Sequence, residues 1–495
     1  MTTSTSPATV ITDSAPVPGK LTGSLGAGAI VFMVVAAASP LTVIGGAAPL
    51  GFLLGNGVGY PSLYAFSAVI LVLFSVGLSA MAKRVPKPGA FFTYIGYGLG
   101  RPPGLAGAYL ALLTYTAVQV CVYGYIGELL RGTFTGLGVP DLPWWLYSLA
   151  TIALVAVLGY CHIDLSSKVL GMLLIGEIGV VLVLVAAVML DGGPQGLSLA
   201  PFEPANIASG APGIGLMLAI AAFIGFESTA VFRDEARDPD RTIPRATYIA
   251  VIGIGLFYTL ASWGLVMAWG PDNVVAAAEA DPAAMLITTA LNYLGPAGEV
   301  VVNILLLTSM FACVLSFHNV LTRYQHAMSG NGLLPVALSH VHPRQLSPYR
   351  SSLVQSATAA VLVVLFALLG LAPILEVFTW FAGVSTLAIV ALMAMTSIAV
   401  IVYFARRKAE RRLWNTVIAP VLGLAGLLAA LGIVAANFPL MVGDLDTSGQ
   451  PAFGTVSITL LAITAAAPVV GLIQAWILRR RNSTAYQHIT DAIDG

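Results

Sequence analysis

The feature that most constrains this chain is a succession of long apolar stretches running from residue 26 to residue 478. A helix needs about 20 mostly apolar residues to cross a hydrocarbon layer. In lipid the backbone must also satisfy its own N–H and C=O groups, which a helix does within one segment. Apolar windows fall at 26–51, 61–81, 104–130, 144–160, 168–190, 212–232, 246–269, 296–318, 351–370, 374–404, 415–436 and 455–478. Composition agrees: 58% of residues are hydrophobic and 9% charged, against about a quarter charged in a soluble domain. The sequence therefore predicts an all-α integral membrane fold of about twelve transmembrane helices in a lipid bilayer.

The basic residues give these helices a direction. With a cytoplasmic amino terminus, 21 of the 22 Lys and Arg residues fall on the cytoplasmic side and Arg131 alone falls outside, which is the asymmetry of the positive-inside rule. The largest clusters are Arg233, Arg237, Arg241 and Arg245; Arg406, Arg407, Lys408, Arg411 and Arg412; and Arg479, Arg480 and Arg481. Adding or removing one span would put later clusters on the wrong side. The expected protein is a multi-pass plasma-membrane protein with both termini cytoplasmic. Its net charge of zero provides no field that would attract nucleic acid.

Residues 1–24 are rich in Ser, Thr and Pro without an apolar core, and read as a disordered cytoplasmic tail. Residues 482–495 form a second tail. Ala36, Ala37 and Ala38 imitate a leader-cleavage site, but the apolar run continues to about Leu54 and only Lys20 precedes it, so no cleavage is expected. Cys121, Cys161 and Cys313 lie in or beside apolar runs without metal-ligand spacing, and read as buried thiols. Asp191, Glu203, Asp272, Glu279, Asp281, Asp444 and Asp446 read as solvated acids of outer loops.

Two windows carry breaks. Ala38-Ser39-Pro40 interrupts the first, where Pro40 has no N–H for the carbonyl of Ala36. Phe223-Ile224-Gly225-Phe226-Glu227-Ser228 interrupts the sixth. Paired breaks in corresponding helices of two halves are where inverted-repeat transporters bind substrate. Half-helix ends offer N–H groups to an anion and carbonyls to an ammonium. The plainer reading is that Gly and Pro are common in membrane helices and only kink them; the matched five-helix offset favours a site.

Glu227 and Glu177 lie well inside predicted spans, where an unpaired carboxylate costs several kcal/mol. Each is a candidate proton carrier, against a packing role in which a protonated acid bonds a neighbouring helix. Gly176 and Gly179 beside Glu177 also suit close packing. Glu128 and Glu376 sit close enough to span ends to reach the interface. Gln119 in the third span is a candidate substrate contact or an interhelical hydrogen bond. His318 reads as a boundary residue at the end of the eighth span.

Several segments resemble the amino acid-polyamine-organocation permeases, over about residues 25–405. The most specific is Phe223 to Ser228 followed by Asp234-Glu235, Asp238-Pro239 and Arg241-Thr242-Ile243-Pro244-Arg245-Ala246, which looks like that family's sixth helix and following loop. Arg84-Val85-Pro86-Lys87-Pro88-Gly89-Ala90-Phe91-Phe92-Thr93-Tyr94 resembles its loop between helices two and three. Arg323 to Pro335, then His342-Pro343 and Pro348, resembles its segment after helix eight. The resemblance implies a LeuT-type five-plus-five inverted repeat over residues 25–405, two further helices within 406–481, and alternating access. By position, Ala38, Ser39 and Pro40 would meet a substrate carboxylate, and Phe223, Ile224 and Gly225 its amine. Glu227 matches an acid implicated in proton-linked behaviour. The family's Gly-x-Gly turn in helix one is here Ala38-Ser39-Pro40, with Gly45-Gly46 further along. An amine without a carboxylate, such as a polyamine or ethanolamine, would fit that change and the two buried acids.

Other classes fit less well. Asp234-Glu235-Ala236-Arg237-Asp238 imitates the magnesium site of membrane prenyltransferases, but the second acidic cluster such enzymes need is missing from the sequence. A channel or receptor is the remaining alternative class, and a channel's ring of carbonyls or like charges has no counterpart in the pattern. No phosphate-binding Gly-x-x-x-x-Gly-Lys run is present. The expectation is a non-enzymatic secondary transporter of a small amino acid or amine, without a cofactor and driven by an ion gradient. Glu177 and Glu227 favour protons; Thr308, Ser309 and Ser316 would suit sodium, and exchange of one substrate for another is the further alternative.

Overall fold

The computed structural model describes residues 26–85, 91–161, 167–227, 229, 236–330, 332–342, 347–407, 412–481 and 486. Among them there is no strand, and an isolated bridge pairs Leu445 with Pro451. The helices are α1 Ala27–Ala38, α2 Pro40–Thr42, α3 Ala48–Leu54, α4 Tyr60–Ala82, α5 Phe91–Leu99, α6 Arg101–Gly136, α7 Trp144–Tyr160, α8 Ser167–Asp191, α9 Pro204–Ile207, α10 Pro212–Ala221, α11 Pro239–Trp269, α12 Val274–Ala280, α13 Met285–Gly330, α14 Tyr349–Leu368, α15 Thr379–Arg407, α16 Ala419–Val442 and α17 Thr455–Arg481. Widened hydrogen-bonded turns join α2 to α3 at Val43–Ala47 and lead into α15 at Pro373–Phe378.

Nine helices among the described residues are long and apolar enough to cross a membrane, and Pro40–Leu54, Trp144–Tyr160 and Pro212–Ala221 are shorter apolar helices. Every predicted window meets a helix, but two boundaries need correcting. The window at 212–232 is not one helix: α10 ends at Ala221 and gives way to turns. The window at 296–318 belongs to a 46-residue run, α13. That run bends at Gly295, whose φ of 72° is open to glycine, and the following Pro296 restarts the helix. His318 is therefore no boundary residue: it is buried, with Nε2 2.9 Å from Ser352 Oγ on α14.

The short α5 was not foreseen, because nine residues cannot span a bilayer. It lies against α15 at Gly98, where a Cβ would stand 2.3 Å from the Ala399 carbonyl oxygen. Small residues permit such approaches where lipid supplies no hydrophobic drive between helices. The third span, α6, is the centre of the bundle: 78% of its most apolar window is buried, against 22% for α17. It packs on α5, α7, α13, α15 and α17.

Paired basic residues mark one end of the bundle, Arg406 and Arg407 at the close of α15 and Arg479, Arg480 and Arg481 at the close of α17. The lone Arg131 lies toward the other end and is neutralised there, 3.2 Å from Glu128 and 2.6 Å from Asp141. That guanidinium holds the Asp141 carboxyl below the usual carboxylate range. Pro86, Lys87, Pro88, Gly89, Ala90, Ser228, Arg233, Asp234, Glu235, Asn331, Pro343, Arg344, Lys408, Arg411, the first tail and all of the second but Tyr486 lie outside the described residues.

Candidate functional site

Both breaks are present. Between α1 and α2, Ser39 takes φ 47° and ψ 70°, and it is the single non-glycine residue with positive φ among those described. Pro40 then restarts the helix without an N–H to give back. After α10 the chain turns at Phe223, Ile224 and Gly225, the last at φ 113°, a conformation that favours glycine.

A cavity of about 70 Å³ lies between the breaks. Ala38, Thr42, Val43 and Ala47 line it from the first span, and Leu218, Ala221, Ala222 and Ile224 from the sixth. Val118, Cys121 and Val122 of α6, Cys313 and Phe317 of α13, and Phe378, Ala382 and Ser385 complete the wall. Of the residues expected to touch substrate, Ala38 and Ile224 thus reach the cavity. Ser39 lies behind it against the Cys313 thiol, and the Ala38 carbonyl accepts a 3.5 Å hydrogen bond from Tyr258.

Gln119 is placed elsewhere. Its amide donates to the Val314 carbonyl at 3.3 Å and the Tyr123 hydroxyl at 3.4 Å, and its oxygen accepts from Gln355 of α14 at 2.7 Å. Gln325 donates to Gln355 in turn, at 2.9 Å. This is the interhelical hydrogen-bond alternative, a ladder joining α6, α13 and α14, while Val118 and Cys121 beside Gln119 in sequence face the cavity.

Each buried acid adjoins one break. Glu227 accepts from the Tyr115 hydroxyl at 2.8 Å through Oε1 and from the Gly225 N–H at 2.8 Å through Oε2. Glu177 accepts from the Ser309 hydroxyl at 2.8 Å and lies against the backbone of Leu41, the second residue of α2. The Thr42 hydroxyl donates to Ser309 at 3.2 Å and links this acid to the cavity wall. Hydrogen bonds to a charged group are worth about 1.5–3 kcal/mol each, and these offset part of the burial cost.

Aromatic side chains flank the cavity on both sides. Toward the basic end, Phe317 stacks on Tyr115 at 5.8 Å, and Tyr115 meets Tyr324, which meets Phe92. Toward the other end, Phe378 packs on Tyr125 at 5.3 Å, and the Tyr125 hydroxyl bonds the carbonyls of Gly45 at 2.5 Å and Ala283 at 3.3 Å. Sequence reasoning missed these aromatics and the cavity thiols, because nothing in an all-apolar helix distinguishes the face turned to a cavity from the face turned to lipid.

A cavity between two broken helices, in a bundle of apolar spans, is the architecture of a membrane transporter. Residues 30–487 match the sequence model of the family described as amino acid permease, and the chain belongs to that family, within the amino acid-polyamine-organocation superfamily. It is 24% identical over 338 residues to the low-affinity putrescine importer PlaP of Escherichia coli K12, covering 67% of this chain and 72% of that one. It is 23% identical over 388 residues to the serine/threonine exchanger SteT of Bacillus subtilis, covering 74% and 81%. The branched-chain amino acid permease BcaP of the same bacterium is 23% identical over 315 residues, covering 59% and 64%.

Proposed function

We propose that the chain is a secondary active transporter that carries a small amino acid or related amine across the plasma membrane by alternating access. The observation that carries the reading is a cavity bordered by both helix breaks, at Ser39 and Gly225, with a buried carboxylate beside each. The scaffold is a LeuT-type five-plus-five inverted repeat with two further helices, α16 and α17, and both termini lie in the cytoplasm. In alternating access the aromatic groups at each side part in turn around a fixed site.

Protons drive the cycle through Glu227, with Glu177 as the second candidate. Glu227 is held by neutral donors, and the titratable groups facing it are the Tyr115 and Tyr324 hydroxyls. Losing or gaining a proton changes whether it accepts from Tyr115 and Gly225, and so whether α6 and the sixth-span turn stay tied. The test is uptake of labelled amino acids and amines into proteoliposomes with and without an inward proton gradient, for the wild type and Glu227→Gln. Gradient-stimulated uptake that becomes gradient-independent in the variant is expected. Uptake that follows sodium, or that needs substrate on the far side as the exchanger among the relatives does by name, would overturn the proton assignment and leave transport standing.

A further inference from the structure

We propose that the groove between α6, α14, α15 and α17 binds an acyl chain of a membrane phospholipid, recognised by its hydrocarbon and not by its head group. The groove is separate from the cavity between the breaks, and the proposal does not rest on what that cavity carries.

The groove has a volume of about 400 Å³. All four helices around it are long and apolar enough to cross a membrane. Its floor is buried, at Ala117 and Val120 of α6, Val384 of α15 and Leu460 of α17. Its rim is exposed, with Leu365 and Leu369 at the end of α14 on one edge and Thr459 and Ile463 of α17 on the other. A buried floor below an exposed rim is an indentation open to its surroundings, and around membrane spans those surroundings are hydrocarbon.

The chemistry of the walls selects the occupant. Apart from three threonines and Trp380 the lining is hydrocarbon, and among the described residues in it none is charged. The Thr459 hydroxyl is already spent within α17, on the Thr455 carbonyl at 2.6 Å. Apolar walls of this kind hold no water, and an empty groove would deprive its floor of dispersion contacts. An alkyl chain supplies those contacts, lipid tails being as apolar as leucine. A head group finds no such match. The start of α17, where leading N–H groups would draw a phosphate, is held instead by Asp444, whose carboxylate accepts from the Ser457 N–H at 2.7 Å.

Two of the four helices also wall the cavity between the breaks. On α6, Ala117 and Val120 face the groove while Val118 and Cys121 face the cavity, and on α15 Val384 and Ser385 divide in the same way. A chain lodged in the groove therefore backs the cavity wall one helix away.

The test places the full chain in proteoliposomes containing a phosphatidylcholine with a photoactivatable diazirine partway along one acyl chain. After irradiation, mass spectrometry compares adducts on the α14 and α17 segments at the groove with adducts on α8 around Leu182 and Val183, which are exposed and outside it. The groove segments should carry the greater labelling, and the same chain on phosphatidylglycerol should give the same ratio. That excess should be lost in Thr459→Trp, which fills the groove from its rim. It should persist in Ile458→Trp, at an exposed neighbour that does not line the groove. Groove labelling equal to that of α8 in the wild type would mean bulk lipid only and overturns the proposal, whether or not either variant folds. Labelling below that of α8 would mean that a protein surface covers the groove, and an excess seen with one head group alone would mean that the head group is what is bound; either result overturns it too.

Discussion

At the scale of single residues, the site is built from side chains and peptide groups held in costly states by their neighbours. Ser39 is the clearest. A non-glycine residue in the left-handed region costs about 1–2 kcal/mol, and here it sits fully inside the bundle at the point where α1 stops. Replacing it by Ala or by Gly removes the hydroxyl in both cases, and only Gly also removes the Cβ. Ser39→Gly should therefore be more stable than Ser39→Ala by about 1–2 kcal/mol in thermal unfolding of the detergent-solubilised protein. Equal stabilities would mean that the backbone there is not strained. The acids follow the same pattern: Glu227 is tolerated because Tyr115 and Gly225 donate to it, and Glu177 because Ser309 does.

At the scale of elements, the spans divide into those that form the chamber and those that hold it. Short α5 belongs to the second group, wedged between α6 and α15. Gly98→Ala would drive a Cβ into the Ala399 carbonyl, a backbone atom that has no rotamer to escape by. The expected outcome is loss of a monodisperse peak in size-exclusion chromatography, with Gly26→Ala, where no atom lies within 4 Å, as the unaffected control. The spans themselves were legible in the sequence because lipid imposes a length and a hydropathy that soluble folding does not. The breaks were legible too, since Pro40 and Gly225 are chemically distinct from their surroundings. What the sequence hid was rotation: Gln119 and Cys121 are two residues apart on α6, yet one faces α14 and the other the cavity. A helix apolar on every side carries no stripe from which its orientation can be read. The hidden α5 has a similar cause, being too short for the length signal and too apolar to look like a loop.

At the scale of the whole molecule, the cavity is flanked by Phe317 with Tyr115 and by Phe378 with Tyr125. Cys121 and Cys313 are in its wall and Cys161 is not, so the native thiols report on access. In a Cys161→Ser background, a small thiol reagent should modify the protein slowly. A transported ligand at about ten times its Kd should slow modification roughly tenfold further, read by mass spectrometry of the α6 and α13 peptides. Labelling indifferent to every ligand would separate this cavity from the transport route. A chamber of about 70 Å³ with mostly apolar walls has one more consequence. A solute reaches it only after shedding its hydration shell, and the walls return few polar contacts for the water that was lost. The difficulty of passage is thus set in the aqueous phase as much as at the wall, and among solutes of equal size the one that holds its water least tightly passes first.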